Sequence, residues 1–559
     1  MLWLALHLPL LSLESAATTR SPEHAGRPLA LLHEHLVLHA DALALERGVR
    51  PGMKRATALA LAPDLLLAAA DARRDTQALR AVAHVALAFS PAVTWATPAA
   101  LAAVPRASGL ASDARPAPCA ALVGVRLEVQ SCLRYFGGLP ALLDRLRSAL
   151  APLGHSVRIA SAPTALGAAL LAAWRDDLAL GPHIATHPTT HPAAHPAPHP
   201  AGRHRASDAL QGLLDAVPLQ LLGLEPQQLQ ALQGMGLHTL ADLRPLPRAG
   251  LARRFGPELL ARIDQARGHA PEVQVWLSLP PQFDSRIELL CRADTSAQVL
   301  AGAQVLLARL LAWAGARQSR IVRFSLVMHH ERRRRRDSEI PEHSSLEIAP
   351  ALPAADPQQL YSLLAERLGR LPLVAPALEL SLRCAHLSTG APPNTELFAS
   401  HASEREGLAR LVDRLQSRLG TAQVQCLAAM PDHRPEHGTR WQPADAARLG
   451  AQPQALSPQS PPGAAAHTLA AQPLWLLPIP RALASQAQGP LLDGQALQLL
   501  AGPDRLECGW WDEQGPAVRD YFIAQARNGA LVWVYRHRLP DDEAGQPAAT
   551  GWFLQGLFA

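Results

Sequence analysis

The chain has 559 residues, 48% hydrophobic and 4% aromatic, with a formal net charge of +5. That length holds about three or four domains with Ala- and Leu-rich cores, and such mild basicity points to a polyanion partner only where the charge clusters. Six scattered cysteines with no C-x-x-C pair argue against a zinc ribbon or a disulfide scaffold and suit a reducing cytoplasm.

The apolar run Leu2 to Glu14 reads as a buried strand. It lacks the basic start of a signal peptide, and Pro9 and Glu14 interrupt it. No apolar stretch reads as long and clean enough to span a membrane. Residues 26–84 read as short helices around a turn at Gly48-Val49-Arg50-Pro51-Gly52-Met53. A second strand is predicted over 120–130, followed by Phe136-Gly137-Gly138 and a helix from Leu139 to Leu150. Val157 to Ala160 is a third strand, leading into a helix from about Pro163 to Trp174. Interleaved strands and helices predict a mixed α/β domain.

His183, His187, His191, His195 and His199 recur every four residues, and a Pro follows each of the last four. Pro at that density forbids a helix and predicts an extended spacer; metal binding is the second reading. Residues 209–268 read as helices with tight turns. Leu229 to Leu243, with Gly236 at a turn, has a helix-hairpin-helix look. Such a turn lets backbone N–H groups face a DNA phosphate; a plain helical hairpin is the alternative. Arg248, Arg253, Arg254 and Arg262 punctuate the next helical pair.

Residues 276–390 give the clearest pattern. Strand Ser285–Cys291, a helix near Ser296–Ala314, strand Ile321–Met328, strand Ser345–Ile348, a helix near Pro357–Leu368 and strand Leu378–Cys384 follow in order. Val322, Phe324, Leu326 and Met328 alternate with Arg323 and Ser325. The order β-α-β-β-α-β is that of a ferredoxin-like split βαβ domain. Its central loop carries Arg332, Arg333, Arg334, Arg335 and Arg336, read either as a solvated run or as a contact to the DNA backbone. Residues 445–471 read as a second linker. The last stretch holds Trp475, Trp510, Trp511, Trp533 and Trp552 and reads as a small β-rich module.

These pieces resemble the Y-family (translesion) DNA polymerases: a palm with inserted fingers, a helix-hairpin-helix thumb and a βαββαβ little finger. The likeness is strongest to the ImuB-like members from bacterial mutagenesis cassettes, whose catalytic residues are degenerate. Leu2-Trp3-Leu4-Ala5-Leu6 with Pro9, Arg134-Tyr135-Phe136-Gly137-Gly138 and Leu246 to Gly256 carry it. So do Asp432-His433-Arg434-Pro435-Glu436, Trp475-Leu476-Leu477-Pro478, Gly509-Trp510-Trp511, Arg519-Asp520-Tyr521 and Trp552 to Ala559. Aligned on Glu14, the family's two metal-binding carboxylate positions fall on Ala5 and His7, and its ribonucleotide-excluding aromatic on Leu10. The Asp-Glu pair of the second motif falls on Val123 and Gly124, and the triphosphate-gripping Tyr and Arg on Ala42 and Leu45. The resemblance therefore implies no catalytic residue, no bound metal and no cofactor, because phosphoryl transfer needs carboxylate-held Mg²⁺.

The resemblance also implies partners: DNA, the β sliding clamp, an ImuA-like RecA-related protein and an error-prone C-family DNA polymerase. The predicted clamp peptide is Asn394-Thr395-Glu396-Leu397-Phe398, with Leu397 and Phe398 as anchors and Asn394 in place of the usual Gln. Gln555-Gly556-Leu557-Phe558 is its rival. The domain expectation is a palm with fingers over 1–180, a linker over 181–208, a thumb over 209–275 and a little finger over 276–390. The clamp peptide follows over 391–400, a connecting region over 401–471 and a partner-binding β module over 472–559. The expected function is a cytoplasmic, non-catalytic adaptor for damage-induced translesion synthesis. The alternatives are an active Y-family polymerase with displaced metal ligands, and a metal-binding protein centred on the His-Pro tract.

Overall fold

A computed structural model describes residues 1–96, 123–178, 211–331, 341–389, 401–445, 473–486, 489–511, 516–538 and 551–558. The first strand, β1, covers only Trp3–His7. Leu11–Ala17 is helix α1, so Glu14 sits on a helix and not at the end of a strand. Pro9, which offers no amide to a neighbouring strand, begins the turn between them.

The helical reading of the fingers is corrected. β2 (Leu29–His33) and β3 (Leu36–Ala40) form a hairpin, followed by short helices α2 (Ala42–Glu46) and α3 (Arg55–Leu61) and by β4 (Leu66–Ala69). The sheet order is β3-β2-β4, with β2 and β4 parallel. The hairpin turns at Glu34, a non-glycine residue at φ 55°, so no glycine signals it in the sequence.

Helix α4 (Ala72–Leu87) returns the chain to the palm. There β5 (Val93–Ala96), β6 (Gly124–Glu128), β1 and β7 (Arg158–Ala162) form an antiparallel sheet in the order β5-β6-β1-β7. Between β6 and β7 lie α5 (Leu133–Phe136) and α6 (Leu139–Leu150). Successive strand residues point to opposite faces. Leu4 and Leu6 enter a core with α4 and α6, whereas Trp3 and Ala5 enter a second core with α7 (Ala165–Trp174) and the thumb. Helix α6 buries Leu139, Leu142, Leu143, Leu146 and Leu150 at helical spacing, each contributing roughly 1.5–3 kcal/mol.

The thumb holds α8 (Pro226–Gly234), α9 (Arg248–Phe255) and α10 (Pro257–Arg267). It abuts the palm at a close joint: a Cβ on Gly167 of α7 would lie 2.8 Å from Ala266 O. Thr164 Oγ1 donates to the same carbonyl at 2.7 Å and accepts from Gly167 N as the α7 cap.

The little finger follows its predicted element order: β8 (Phe283–Ala293), α11 (Ser296–Ala316), β9 (Ser319–His330), β10 (His343–Ile348), α12 (Pro357–Arg370) and β11 (Ala377–Thr389). The sheet order is β10-β9-β11-β8, every adjacent pair antiparallel. Each helical crossover thus joins strands split by one other strand, with the second and fourth strands central rather than the first and third. Phe324, Leu326 and Met328 are buried as their alternation required. By length and composition α11 could cross a membrane, which corrects the expectation that no stretch qualifies. Here Val299, Leu306, Leu310 and Trp313 of α11 are wholly enclosed in the little-finger core.

Residues 1–399 form one compact unit and 400–559 another. The second unit contains α13 (His401–Leu419), the hairpin β12 (Gln425–Ala429) and β13 (Thr439–Pro443), and a seven-stranded sheet. That sheet holds β14 (Trp475–Gln486), β15 (Gly489–Leu492), β16 (Gln495–Ala496), β17 (Gln498–Cys508), β18 (Ala517–Gln525), β19 (Leu531–His537) and β20 (Trp552–Leu557). The β-rich reading of the C-terminus therefore matches, with Gln555 to Leu557 on β20. Cys132, Cys291, Cys384, Cys426 and Cys508 are free thiols.

Candidate functional site

In the palm, Ala5, His7, Val123 and Gly124 converge around a space of about 10 Å³. A single water needs about 10–15 Å³, so the space is at most the size of one water. Ala5 lies opposite Arg126, and His7 opposite Gly124. Directly opposed strand residues share a face, so a guanidinium occupies the side of the sheet to which Ala5 points. Arg126 Nε is sealed from solvent. Burial lowers the Arg126 pKa, and Glu272 opposes that shift.

Glu272 comes from the segment joining thumb to little finger. Its carboxylate accepts from Leu166 N at 3.0 Å, in the first turn of α7. Burial raises its pKa against the pull of that amide and of Arg126. The same segment stacks Trp276 on Trp3 at 6.0 Å and donates Leu277 N to Val93 O at 2.8 Å. His7 Nδ1 lies 3.2 Å from Val123 O. Burial, with Arg158 adding to it, pulls His7 below its ordinary value, so the imidazole is neutral near pH 7. A cation and a neutral ring at this face repel or ignore Mg²⁺ where a polymerase needs carboxylates. Among the described residues no group of three His, Cys, Asp or Glu is placed to hold a metal.

The thumb corrects the helix-hairpin-helix expectation in one respect. After α8 and Gly236 (φ 79°) the chain makes a run of turns over 240–245 instead of a second helix. Gly236 N already donates to Gln233 O at 2.9 Å. Leu237 N donates to Leu232 O at 3.1 Å, and His238 N and Thr239 N both donate to Asp242 Oδ2 at 2.9 Å. Those last two amides hold the Asp242 carboxyl below its usual range. A carboxylate therefore stands where a phosphate was expected. Arg248 is committed to Asp264 at 2.5 Å, and Arg262 Nη1 to Leu222 O at 2.7 Å. Arg253 and Arg254 are exposed on α9 and have no ion-pair partner among the described residues.

The open face of the little-finger sheet carries basic residues that sequence reasoning left out of its site. Arg286, Arg323 and Arg383 are exposed. Each meets a carboxylate on an adjacent strand: Arg286 pairs with Glu379, Arg323 with Glu347 at 3.3 Å and Arg383 with Asp284 at 3.3 Å. Exposed pairs of this kind are weak, about 0–1 kcal/mol, so a polyanion can compete for the arginines. The alternation that placed Arg323 opposite Phe324 was the available signal. Arg332, Arg333, Arg334, Arg335, Arg336, Asn394, Leu397, Phe398 and the His-Pro tract all lie outside the described residues.

Residues 12–173 match the impB/mucB/samB family. Protein ImuB of Caulobacter vibrioides (strain NA1000 / CB15N) is 29% identical over 536 residues, covering 91% of this chain and 100% of that relative. Over most of its length the chain is similar to ImuB. Protein ImuB from C. vibrioides strain ATCC 19089 / CIP 103742 / CB 15 matches to the same extent. Among solved structures, a Dbh ternary complex is 13% identical, with a TM-score of 0.34 over 69% of this chain and 98% of that one. DinB from Sulfolobus solfataricus gives 13% and 0.33 over the same shares. In this ImuB-like chain the family-matched segment spans the fingers and most of the palm. The ImuB match runs on through most of the chain, beyond the family-matched segment.

Proposed function

We propose that this ImuB-like chain is a cytoplasmic, non-catalytic adaptor of damage-induced translesion synthesis, holding DNA and the β sliding clamp while a C-family polymerase performs the synthesis. An ImuA-like RecA-related protein is its further partner. The observation that carries the reading is the palm face at Ala5, where Arg126 stands opposite and the adjoining space is only about 10 Å³. Two Mg²⁺ ions are not held beside a guanidinium where the facing positions carry no carboxylate.

DNA contact is assigned to Arg253 and Arg254 of the thumb and to Arg332, Arg333, Arg334, Arg335 and Arg336. Arg248 and Gly236 are secondary, since their polar groups are already engaged. Phosphate contacts release counterions, so affinity falls with salt at a slope near 0.9 per contact. Replacing Arg332 to Arg336 by Ser should weaken binding to any DNA sequence and reduce the salt slope by about 2–4. An R253S/R254S chain should lose about 1–2 from the slope. An unchanged slope in both variants, measured by fluorescence anisotropy, would remove these arginines from the interface.

Clamp contact is assigned to Asn394, Leu397 and Phe398. An apolar anchor pair of this kind commonly contributes at least about 2 kcal/mol. L397A/F398A should therefore weaken binding to purified clamp by more than about thirtyfold. Retained affinity in surface plasmon resonance would move the contact to the rival site at Gln555 to Phe558.

A further inference from the structure

A cavity of about 190 Å³ lies between the palm and the little finger. Gln77, Arg80 and His84 of α4 wall it on one side, and Gln282, Ser285 and Arg309 on the other. Its floor is unusual. Arg309 is only 4% exposed, and its Nη1 donates to Gln77 Oε1 and Ser285 Oγ, each at 3.3 Å. Both acceptors are neutral. Its Nη2 and Nε have no hydrogen-bond partner among the described residues. A second cavity of about 260 Å³ reaches Arg309 as well, alongside His155 and Gln304.

A buried guanidinium is costly unless an anion compensates it. Here burial alone pulls Arg309 down to about 10, with no carboxylate acting against it. Asp284, the one carboxylate lining the first cavity, is exposed and lies 3.3 Å from Arg383. A second cation and a neutral imidazole lie nearby. Arg80 is exposed, at the mouth. His84 is 3% exposed, and its Nδ1 has no hydrogen-bond partner. Burial, then Arg80 and Arg317, drives the His84 pKa to about 4. The cavity is thus a cationic, donor-rich recess far larger than the about 10–15 Å³ that one water requires.

We propose that this cavity binds a phosphate-class oxyanion, with Arg309 as its buried donor and Arg80 at its mouth. Arginine suits this role because its planar fork matches a tetrahedral oxyanion through paired N–H···O bonds. Gln77 and Ser285 supply neutral hydrogen-bonding groups beside it. The ligand is inorganic phosphate or pyrophosphate, or else the terminal phosphate of a nucleic acid. Since the donors belong to both palm and little finger, occupancy ties the two together and should raise the melting temperature.

The test uses the full chain in chloride buffer at constant ionic strength, titrated with inorganic phosphate and followed by calorimetry and by Tm. Phosphate strengthens burial in any protein, so the reading is the difference from R309M, which removes the charge and keeps the length. Wild type should show saturable phosphate binding that R309M lacks. R80Q, at the exposed mouth, should weaken it about tenfold, and it serves if R309M does not fold. A 5′-phosphorylated trinucleotide that displaces phosphate, where its unphosphorylated form does not, assigns the site to a nucleic-acid end. Failure of both to displace it assigns the site to the free ion. No saturable binding by wild type, or binding unchanged in R309M and R80Q, overturns the proposal.

Discussion

E436A should lower the melting temperature of the C-terminal unit by about 6–12 °C. Among the described residues Glu436 is the carboxylate that pairs with Arg519, at 2.7 Å, and the Arg519 side chain is 11% exposed. Gln555 Nε2 also donates to Glu436 at 2.7 Å, and Tyr521 Oη donates to Gln555 Oε1 at 2.7 Å. Arg519 Nη1 donates to Tyr521 Oη at 3.1 Å and covers the Tyr535 ring at 4.7 Å. Removing Glu436 strands a buried cation and unpairs an amide in one step. Breaking a buried pair costs about 3–5 kcal/mol; partial exposure of Glu436 places this case near about 3 kcal/mol. At about 2–4 °C per kcal/mol for a unit of this size, that gives the stated fall. A fall below about 2 °C would mean that the network contributes little.

The pH dependence of the same group has a fixed sign. Burial pushes the Glu436 carboxyl up, but Arg519, its own backbone amide and the Gln555 amide together hold it below its ordinary carboxylate value. A depressed folded pKa contributes stability that is full above the unfolded value, near about 4.3, and is lost as pH falls through the folded value. Wild type should therefore lose stability below about pH 4.3 more steeply than E436Q does. Parallel acid limbs in urea titrations would show that Glu436 does not titrate in this window.

G124A should destabilise the palm by at least about 2 kcal/mol, and G124E by more. A Cβ on Gly124 would lie 2.4 Å from Leu6 O, a backbone atom in the facing strand. A side-chain neighbour could rotate away; a strand carbonyl can yield only by moving β1 itself. The effect has a functional edge, because the resemblance puts the family's second carboxylate motif on Val123 and Gly124. Restoring it as A5D/V123D/G124E should give a less stable chain with no polymerase activity, since β1 and β6 leave no room for it. A G124A chain whose denaturant midpoint matches wild type would mean that β1 and β6 have slack at this position.

The sequence spoke clearly where periodicity was strong. Phe324, Leu326 and Met328 alternate and are buried, and α6 begins and ends where its leucine spacing placed it. It was silent in the fingers. Leu29 to Ala40 is built from Leu, Ala, Val and His, and it turns at Glu34 rather than at a glycine, so neither strand propensity nor turn chemistry marked the hairpin. In the palm, the resemblance put Ala5, His7, Val123 and Gly124 where carboxylates are expected, but that reading passed over Arg126, whose significance depends on pairing with β1. The C-terminal unit shows the opposite case. Asp432 to Glu436, Arg519 to Tyr521 and Gln555 carried the resemblance as separate segments, and the fold joins them through Glu436, Arg519, Tyr521 and Gln555. Their distance in sequence hid that contact, because ion pairs between non-adjacent segments leave no local period.

The central claim is that this polymerase-like frame has given up the chemistry, and single-nucleotide incorporation tests it most directly. Purified full chain is incubated with primed template, all four deoxynucleotides and either Mg²⁺ or Mn²⁺. The account predicts no template-directed extension above that of a mock purification under either metal. Extension that follows the template and disappears in a palm variant such as H7A would contradict it, and would make this ImuB-like chain an active polymerase with displaced metal ligands.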